Sequence, residues 1–242
     1  MSRASAKSEW FRTFDDALWL QAGEEGTDRH AAFLRKALRL SKGSRVLDAP
    51  CGAARITVHL ARMGCGVTGI DLLGEHIRKA RSRFRKEELK GAFRVGDLRA
   101  IDFDGTFDGI VNWGGSFGYF SDEENDDVVR RYARALKRGG RLLIDQPNRE
   151  NVLRHFRSRT RRGNLLTSTR WDARTQRAET LWTITEDGRR RSSRSSIRLY
   201  TPAQFRAMLK RAGLRLVAMY GTHDGAPWRR GSRRTIVTGQ KE

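Results

Sequence analysis

Cysteine and proline are scarce in this chain of 242 residues, which has two of the first and four of the second. Two isolated thiols, Cys51 and Cys65, make neither a disulfide framework nor a cluster with metal-ligand spacing. The expected metal content is therefore none, and free thiols fit a reducing compartment. Long apolar runs are also missing. No stretch approaches the ~20 residues that cross a bilayer, and the opening residues hold no apolar segment of the signal-peptide kind. With 38% hydrophobic residues and a mean hydropathy of −0.67, the expectation is a soluble cytoplasmic protein with no membrane partner. Acidic residues are outnumbered, 28 against 49 Lys plus Arg, which leaves a net charge of +21 and a pI near 11.2. A polyanionic partner and an arginine-rich solvated surface both produce that balance. The basic residues are spread along the whole chain, with local clusters such as Arg189 to Arg191, so nucleic acid is expected only through a non-specific basic surface.

What is present centres on Ser44 to Asp71. Val46 and Leu47 lead into Asp48, then a tight Pro50-Cys51-Gly52-Ala53-Ala54 turn, then an apolar-periodic segment through Ile56, Val58, Leu60 and Ala61. A second apolar run, Val67 to Ile70, closes on Asp71. The pattern predicts a βαβ unit with a carboxylate at the carboxyl end of each strand, where a mononucleotide or nucleoside binds. A nicotinamide dinucleotide needs G-x-G-x-x-G spacing to seat its pyrophosphate on the helix N-terminus. This turn lacks that spacing, and Asp48 would repel a pyrophosphate while suiting a cationic ligand.

The run Asp48-Ala49-Pro50-Cys51-Gly52-Ala53-Ala54-Arg55 resembles the first motif of the class I S-adenosylmethionine-dependent methyltransferases, small-molecule type. It departs from that motif at Ala54, where glycine is usual, a change expected to be tolerated if the backbone keeps φ negative. The resemblance implies an α/β fold, a Rossmann-like seven-stranded mostly parallel sheet with helices on both faces and an antiparallel strand insertion after strand 5. It also implies S-adenosylmethionine as cofactor, held by Asp48, Ala49, Pro50, Cys51, Gly52 and Arg55 at the first turn and by Asp71 and Leu72 after strand 2. Asp97 and Leu98 would meet the adenine, and Asn112 and Trp113 would lie on the cofactor side of strand 4.

The rest of the chain reads as one domain in four segments: a helical cap (1–40), the cofactor-binding core (41–147), the antiparallel insertion (148–200), and a final helix with a strand hairpin (201–242). Trp10, Phe11, Phe14, Leu18 and Trp19 share a helical face that either packs on the domain or closes over the cofactor. Helices are expected at roughly Thr27–Leu40, Gly74–Leu89, Ser121–Leu136 and Thr201–Gly213, and strands at Ala92–Val95, Phe107–Val111, Arg141–Asp145, Leu214–Tyr220 and Arg234–Thr238. Leu165–Trp171, Ala178–Thr185 and Ser195–Tyr200 read as the insertion's antiparallel strands, which serve either as a substrate cover or as a homo-oligomer interface. Phe117, Tyr119, Trp171 and Trp182 are candidates for the substrate side.

The expected activity is methyl transfer to a nitrogen or oxygen of a small organic molecule. Such an in-line displacement needs alignment and desolvation, with a base only where the acceptor must lose a proton. Tyr119, Asp145, His155, Tyr200 and His223 are the base candidates, unranked. The alternatives are an RNA or DNA methyltransferase on the same fold and a cofactor-binding protein without turnover.

Overall fold

The computed structural model describes residues 25–242; the aromatic face from Trp10 to Trp19 lies outside the described residues. The described chain runs α1 (Thr27–Ala37), β1 (Arg45–Asp48), α2 (Thr57–Arg62), β2 (Gly66–Asp71), α3 (Gly74–Lys86), β3 (Gly91–Val95), a 3-10 turn (Leu98–Ala100), β4 (Phe107–Asn112), α4 (Asp122–Ala135) and β5 (Leu136–Pro147). It continues through α5 (Arg149–Arg154), β6 (Arg159–Arg162), β7 (Leu165–Asp172), β8 (Arg177–Glu186), β9 (Arg189–Arg198), α6 (Pro202–Arg211), β10 (Leu214–Tyr220) and β11 (Arg234–Lys241).

Short strands of Val, Leu and Ile form the centre because helices cover both faces of a parallel sheet. The seven-stranded sheet has the order β10-β11-β5-β4-β1-β2-β3, parallel except for β11, which runs antiparallel to both β5 and β10. The order reverses between β1 and β4. That reversal opens a crevice at the carboxyl ends of these strands, the place where open α/β sheets take ligands. Two apolar clusters fill the two faces, one around Leu34, Leu60, Ile77 and Phe84, the other around Phe107, Phe117, Tyr132 and Phe205. Capping boxes start α4 (Ser121 with Glu124) and α6 (Thr201 with Gln204), and Pro202 occupies the first turn of α6.

The structure departs from the sequence reading in places. Strand β5 begins at Leu136, directly after α4, without a separate Lys137–Gly140 turn. Gly139 has φ +76°, and the β4–β5 register shifts between Phe107 and Gly109, so this joint is an irregular strand entry. The insertion has four strands in the order β6-β7-β8-β9, not three. Strand β6 reads Arg-Thr-Arg-Arg and is wholly exposed, so no apolar alternation announces it. Strand β9 starts at Arg189, six residues before the expected Ser195, because backbone pairing with β8 holds it where burial does not. Helix α5 also went unread. Its start is fixed by Asn148, whose side chain accepts from the Glu150 amide, and it buries no residue.

Candidate active site

The turn after β1 is stitched to both neighbouring strands. The Ala49 amide donates to the Val111 carbonyl and the Cys51 amide to the Ile70 carbonyl. Asp48, the last residue of β1, is 2% exposed and accepts a hydrogen bond of 2.5 Å from Thr57 Oγ1 at the start of α2. Burial, with a smaller push from the charge of Asp71, raises its pKa to about 7. Gly52 has φ +53°, and open space lies where a Cβ would stand. Ala54 has φ +61°. The condition for an easy alanine, a negative φ, is therefore not met, and Ala54 bears the left-handed conformation that glycine carries elsewhere, at a cost of about 1–2 kcal/mol. Arg55 donates to Thr27 Oγ1 and so ties the turn to α1. Cys51 is buried, and burial pushes its thiol far above the ordinary range, which leaves it inert as a nucleophile.

Asp71 closes β2 with both oxygens committed to backbone. Oδ2 accepts from the Gly52 amide and Oδ1 from the Leu73 amide, each at 2.9 Å. His76 Nδ1 lies 3.3 Å from Oδ1, so this buried histidine packs behind the carboxylate. Leu72 follows, half-buried. After β3, Asp97 caps the 3-10 turn and is gripped by Arg99, whose Nε and Nη2 reach its carboxylate and whose amide donates to Oδ1. Burial opposes that ionisation, yet the Arg99 bonds outweigh it and lower the Asp97 pKa. Leu98 is buried beside it.

At the end of β4, Asn112 is fully buried. Its Nδ2 donates to Tyr132 Oη, which in turn donates to the Ala49 carbonyl, while Asn112 Oδ1 has no partner among the described residues. Trp113 is 6% exposed and belongs to a ring cluster, 4.5 Å from His223, 5.8 Å from His30 and 6.2 Å from Phe33 between centroids. Gly114 and Gly115 follow with φ of +77° and +81°, Gly114 opening onto free space. Its amide donates to Asp145 Oδ2. Asp145, on β5, is completely buried and also accepts from His223 Nε2 at 3.0 Å and from Arg234 Nε at 2.7 Å. Burial alone would raise its pKa, but the His223 bond and the Arg234 charge lower it, so Asp145 is an ionised acceptor.

The sequence candidates for substrate contact and for the base separate on inspection. Phe117 is 2% exposed and packs against Tyr200 and Phe205, so it is core and presents no face to a ligand. Tyr200 is also buried, with its hydroxyl bound to Asp122 and Asn125, and burial raises its pKa. Tyr119 sits half-buried in the same loop, its phenol likewise pushed up by burial. His155 is exposed at the end of α5, bonded to the Asn151 carbonyl. Trp182 donates to Ser195 Oγ within the insertion's own sheet, and Trp171 lies under the Arg149 guanidinium at 5.5 Å. Of these candidates, all among the described residues, His223 and Asp145 meet at the carboxyl end of the sheet. Sequence reasoning missed His30, Thr57, Tyr132, Arg177 and Arg234. Arg177 holds the Phe117–Phe120 loop, its Nη1 donating to the Phe120 carbonyl and its Nη2 to those of Gly118 and Tyr119. Apart from Thr57, which reaches Asp48 nine residues before it, these residues act across long sequence separations and carry no local motif.

The crevice suits an adenosyl amino acid. The left-handed Gly52 and Gly114 leave open space beside backbone, and Asp48 is a buried carboxyl able to face a cation. Asn112 Oδ1 adds a buried acceptor without a partner among the described residues.

Comparison with known proteins agrees. Residues 46–140 match the family described as "Methyltransferase domain". The chain is 30% identical over 141 residues to a S-adenosyl-L-methionine-dependent Diels-Alderase, iliD, of Neonectria sp. (strain DH2), covering 57% of this chain and 52% of that protein. It is 32% identical over 109 residues to the ubiquinone biosynthesis O-methyltransferase of Xanthomonas oryzae pv. oryzae (strain PXO99A), covering 44% of each. The chain thus spans about half the length of the curated relatives it matches. The CcbJ methyltransferase from Streptomyces caelestis shares the fold with a TM-score of 0.82 at 19% identity, over 98% of both chains. Motif, strand order and matches converge: residues 46–140 match a methyltransferase domain, and the chain has the class I, Rossmann-like fold of S-adenosylmethionine-dependent methyltransferases.

Proposed function

We propose that the protein transfers the methyl group of S-adenosylmethionine to a nitrogen or oxygen of a small organic molecule. The observation that carries this reading is the pair of buried carboxyls, Asp48 and Asp71, on either side of the open Gly52 backbone. When bound, S-adenosylmethionine supplies a methyl carbon already activated by positive sulfur. The chain's own tasks are then to align and to desolvate. Asp48 would face the ammonium and Asp71 the ribose hydroxyls, with Ala49, Pro50, Cys51, Gly52, Arg55 and Leu72 shaping the turn around the ligand. Asp97 and Leu98 would border the adenine, Asp97 as an acceptor held ionised by Arg99. Asn112, Trp113 and the Gly114 backbone would form the wall between cofactor and acceptor. Tyr119 fits the outer side of that wall, and Trp171 and Trp182, on the insertion, fit a cover over the acceptor.

Titration calorimetry with S-adenosylmethionine and its demethylated product tests the cofactor assignment. The expected result is binding by the native chain, with loss of at least tenfold in Asp71→Ala and Gly52→Val. Incubating protein and cofactor with an extract of its source cells should then yield a product 14 Da heavier. A second reading is favoured by the Diels-Alderase relative: the cofactor held but not consumed. Cofactor binding without formation of the demethylated product across a broad acceptor panel selects that alternative. Methyl incorporation into RNA, with none into small molecules, selects a nucleic-acid substrate.

A further inference from the structure

His223 lies in the loop between β10 and β11, with a side chain 29% exposed, at the carboxyl ends of β4 and β5. Its Nε2 is 3.0 Å from Asp145 Oδ2. That carboxylate is completely buried and bonded from its other oxygen by Arg234 Nε, and it also accepts from the Gly114 amide. An ionised carboxylate only accepts, so the shared proton belongs to Nε2, and any lone pair of the ring stands on Nδ1. The Trp113 ring, 4.5 Å away, and His30, edge-on at 5.0 Å, fix the plane of the imidazole. A group oriented by a buried carboxylate, with its free nitrogen beside the wall that separates cofactor from acceptor, is arranged to accept a proton.

We propose that His223 is the proton acceptor of this site, with Asp145 as its positioning residue, and that the methyl acceptor is accordingly a protic nucleophile: an amine or hydroxyl whose proton must leave. This inference rests on the methyl-transfer reading above. The step balances. The acceptor's nitrogen or oxygen lone pair forms the new bond to the methyl carbon, the carbon–sulfur bond breaks with its electron pair returning to sulfur, and the acceptor's proton passes to His223 Nδ1. The charges facing His223 are Asp145 and Arg234 from the sheet, His30 from α1 and Asp224 in its own loop, with Arg55 and Arg29 acting on His30. Burial, and next the charge of His223, hold His30 below the ordinary histidine pKa, so His30 stays neutral when its neighbour takes the proton.

Two readouts test the proposal. In the full chain labelled with 15N-histidine, the resonances lost in His223→Gln should report protonated Nε2 and unprotonated Nδ1, and Asp145→Asn should shift that balance toward Nδ1–H. In the source-cell extract assay, His223→Gln should bind S-adenosylmethionine within about twofold of the native chain and melt at the same temperature, while methyl transfer falls by roughly 100-fold or more. The native rate should drop toward acid pH, and the variant should lose that dependence. An Nδ1-protonated His223, or a His223→Gln rate within threefold of native from pH 6 to 9, overturns the assignment. A native chain that binds no cofactor, or transfers no methyl to any small molecule, fails earlier: the methyl-transfer reading falls, and the base role falls with it.

Discussion

Replacing Asp48 by Asn isolates the electrostatics of the cofactor turn. The carboxyl is fully buried and its pKa is raised from 3.8 to about 7, chiefly by burial, while the Thr57 hydroxyl bond opposes the rise and the charge of Asp71 adds to it. A raised acid pKa means that the folded chain takes up this proton before the unfolded chain does. Stability contributed by the group is therefore absent above pH 7 and accumulates as pH falls toward 3.8. A difference of about three pKa units corresponds to roughly 4 kcal/mol in full, and about 2 kcal/mol of it appears between pH 8 and pH 5.5. Asn keeps the size and the oxygen that accepts from Thr57, yet has no charge to desolvate. Urea unfolding of the ligand-free chain should show Asp48→Asn more stable than native by several kcal/mol at pH 8, the gap narrowing by about 2 kcal/mol at pH 5.5. The same proton governs the ligand. A cation needs the carboxylate, so native affinity for S-adenosylmethionine should fall roughly 30-fold over that pH interval, while the Asn variant binds weakly and without the Asp48 dependence. Equal stability of native and variant at both pH values, or full cofactor affinity in Asp48→Asn, refutes the view that a buried carboxyl is kept at the expense of stability to face a positive charge.

Three further outcomes follow from the packing. Gly118 has φ +101°, and a Cβ there would collide with the Arg198 carbonyl, so Gly118→Ala should lower stability by roughly 2 kcal/mol or more in thermal unfolding. Tyr132→Phe leaves Asn112 Nδ2 and the Ala49 carbonyl without their shared hydroxyl, a cost of about 1–3 kcal/mol by denaturant titration with the fold retained. Burial raises the pKa of both Cys51 and Cys65, so neither thiol should react with a disulfide reagent at pH 8 until the chain is unfolded, when two equivalents react.

What the sequence made legible was local chemistry. The carboxylates at Asp48 and Asp71, the small-residue turn between them and the apolar runs of β1, β2 and β4 each announce themselves within a few residues, because burial and turn conformation act at short range. The helix starts at Ser121 and Thr201 are legible for the same reason. Ala54 shows the limit: the residue type was visible, the sign of its φ was not, because tertiary context set the conformation against intrinsic preference. Phe117 shows another. An aromatic in a glycine-rich loop reads as a ligand face, but α6 closes over it and turns it into core. The base candidates were separable only in three dimensions, since His223 and Asp145 are 78 residues apart and acquire their relation from the antiparallel β5–β11 pairing next to them.

The excess of positive charge looks different once its arginines are located. Several tie the structure together: buried Arg141 reaches the Ala37 carbonyl and buried Arg198 the Leu199 carbonyl and the Asp122 carboxylate, while half-buried Arg131 reaches the Ile101 carbonyl and exposed Arg81 the Phe93 carbonyl. A guanidinium presents five donors in one plane, so it serves backbone oxygens left without a partner at helix ends, strand edges and loops, and a flexible lysine stem with three rotating donors does so less well. Burial lowers the pKa of Arg141 and Arg177, yet their ordinary values are so high that both stay charged. Part of the +21 is therefore the residue of a structural choice. The exposed arginines of β6 and β9 are a separate population, set on two edges of the insertion's sheet with β7 and β8 between them. That spacing does not make one continuous cationic track, so the net charge is no argument for a nucleic-acid substrate over a small one.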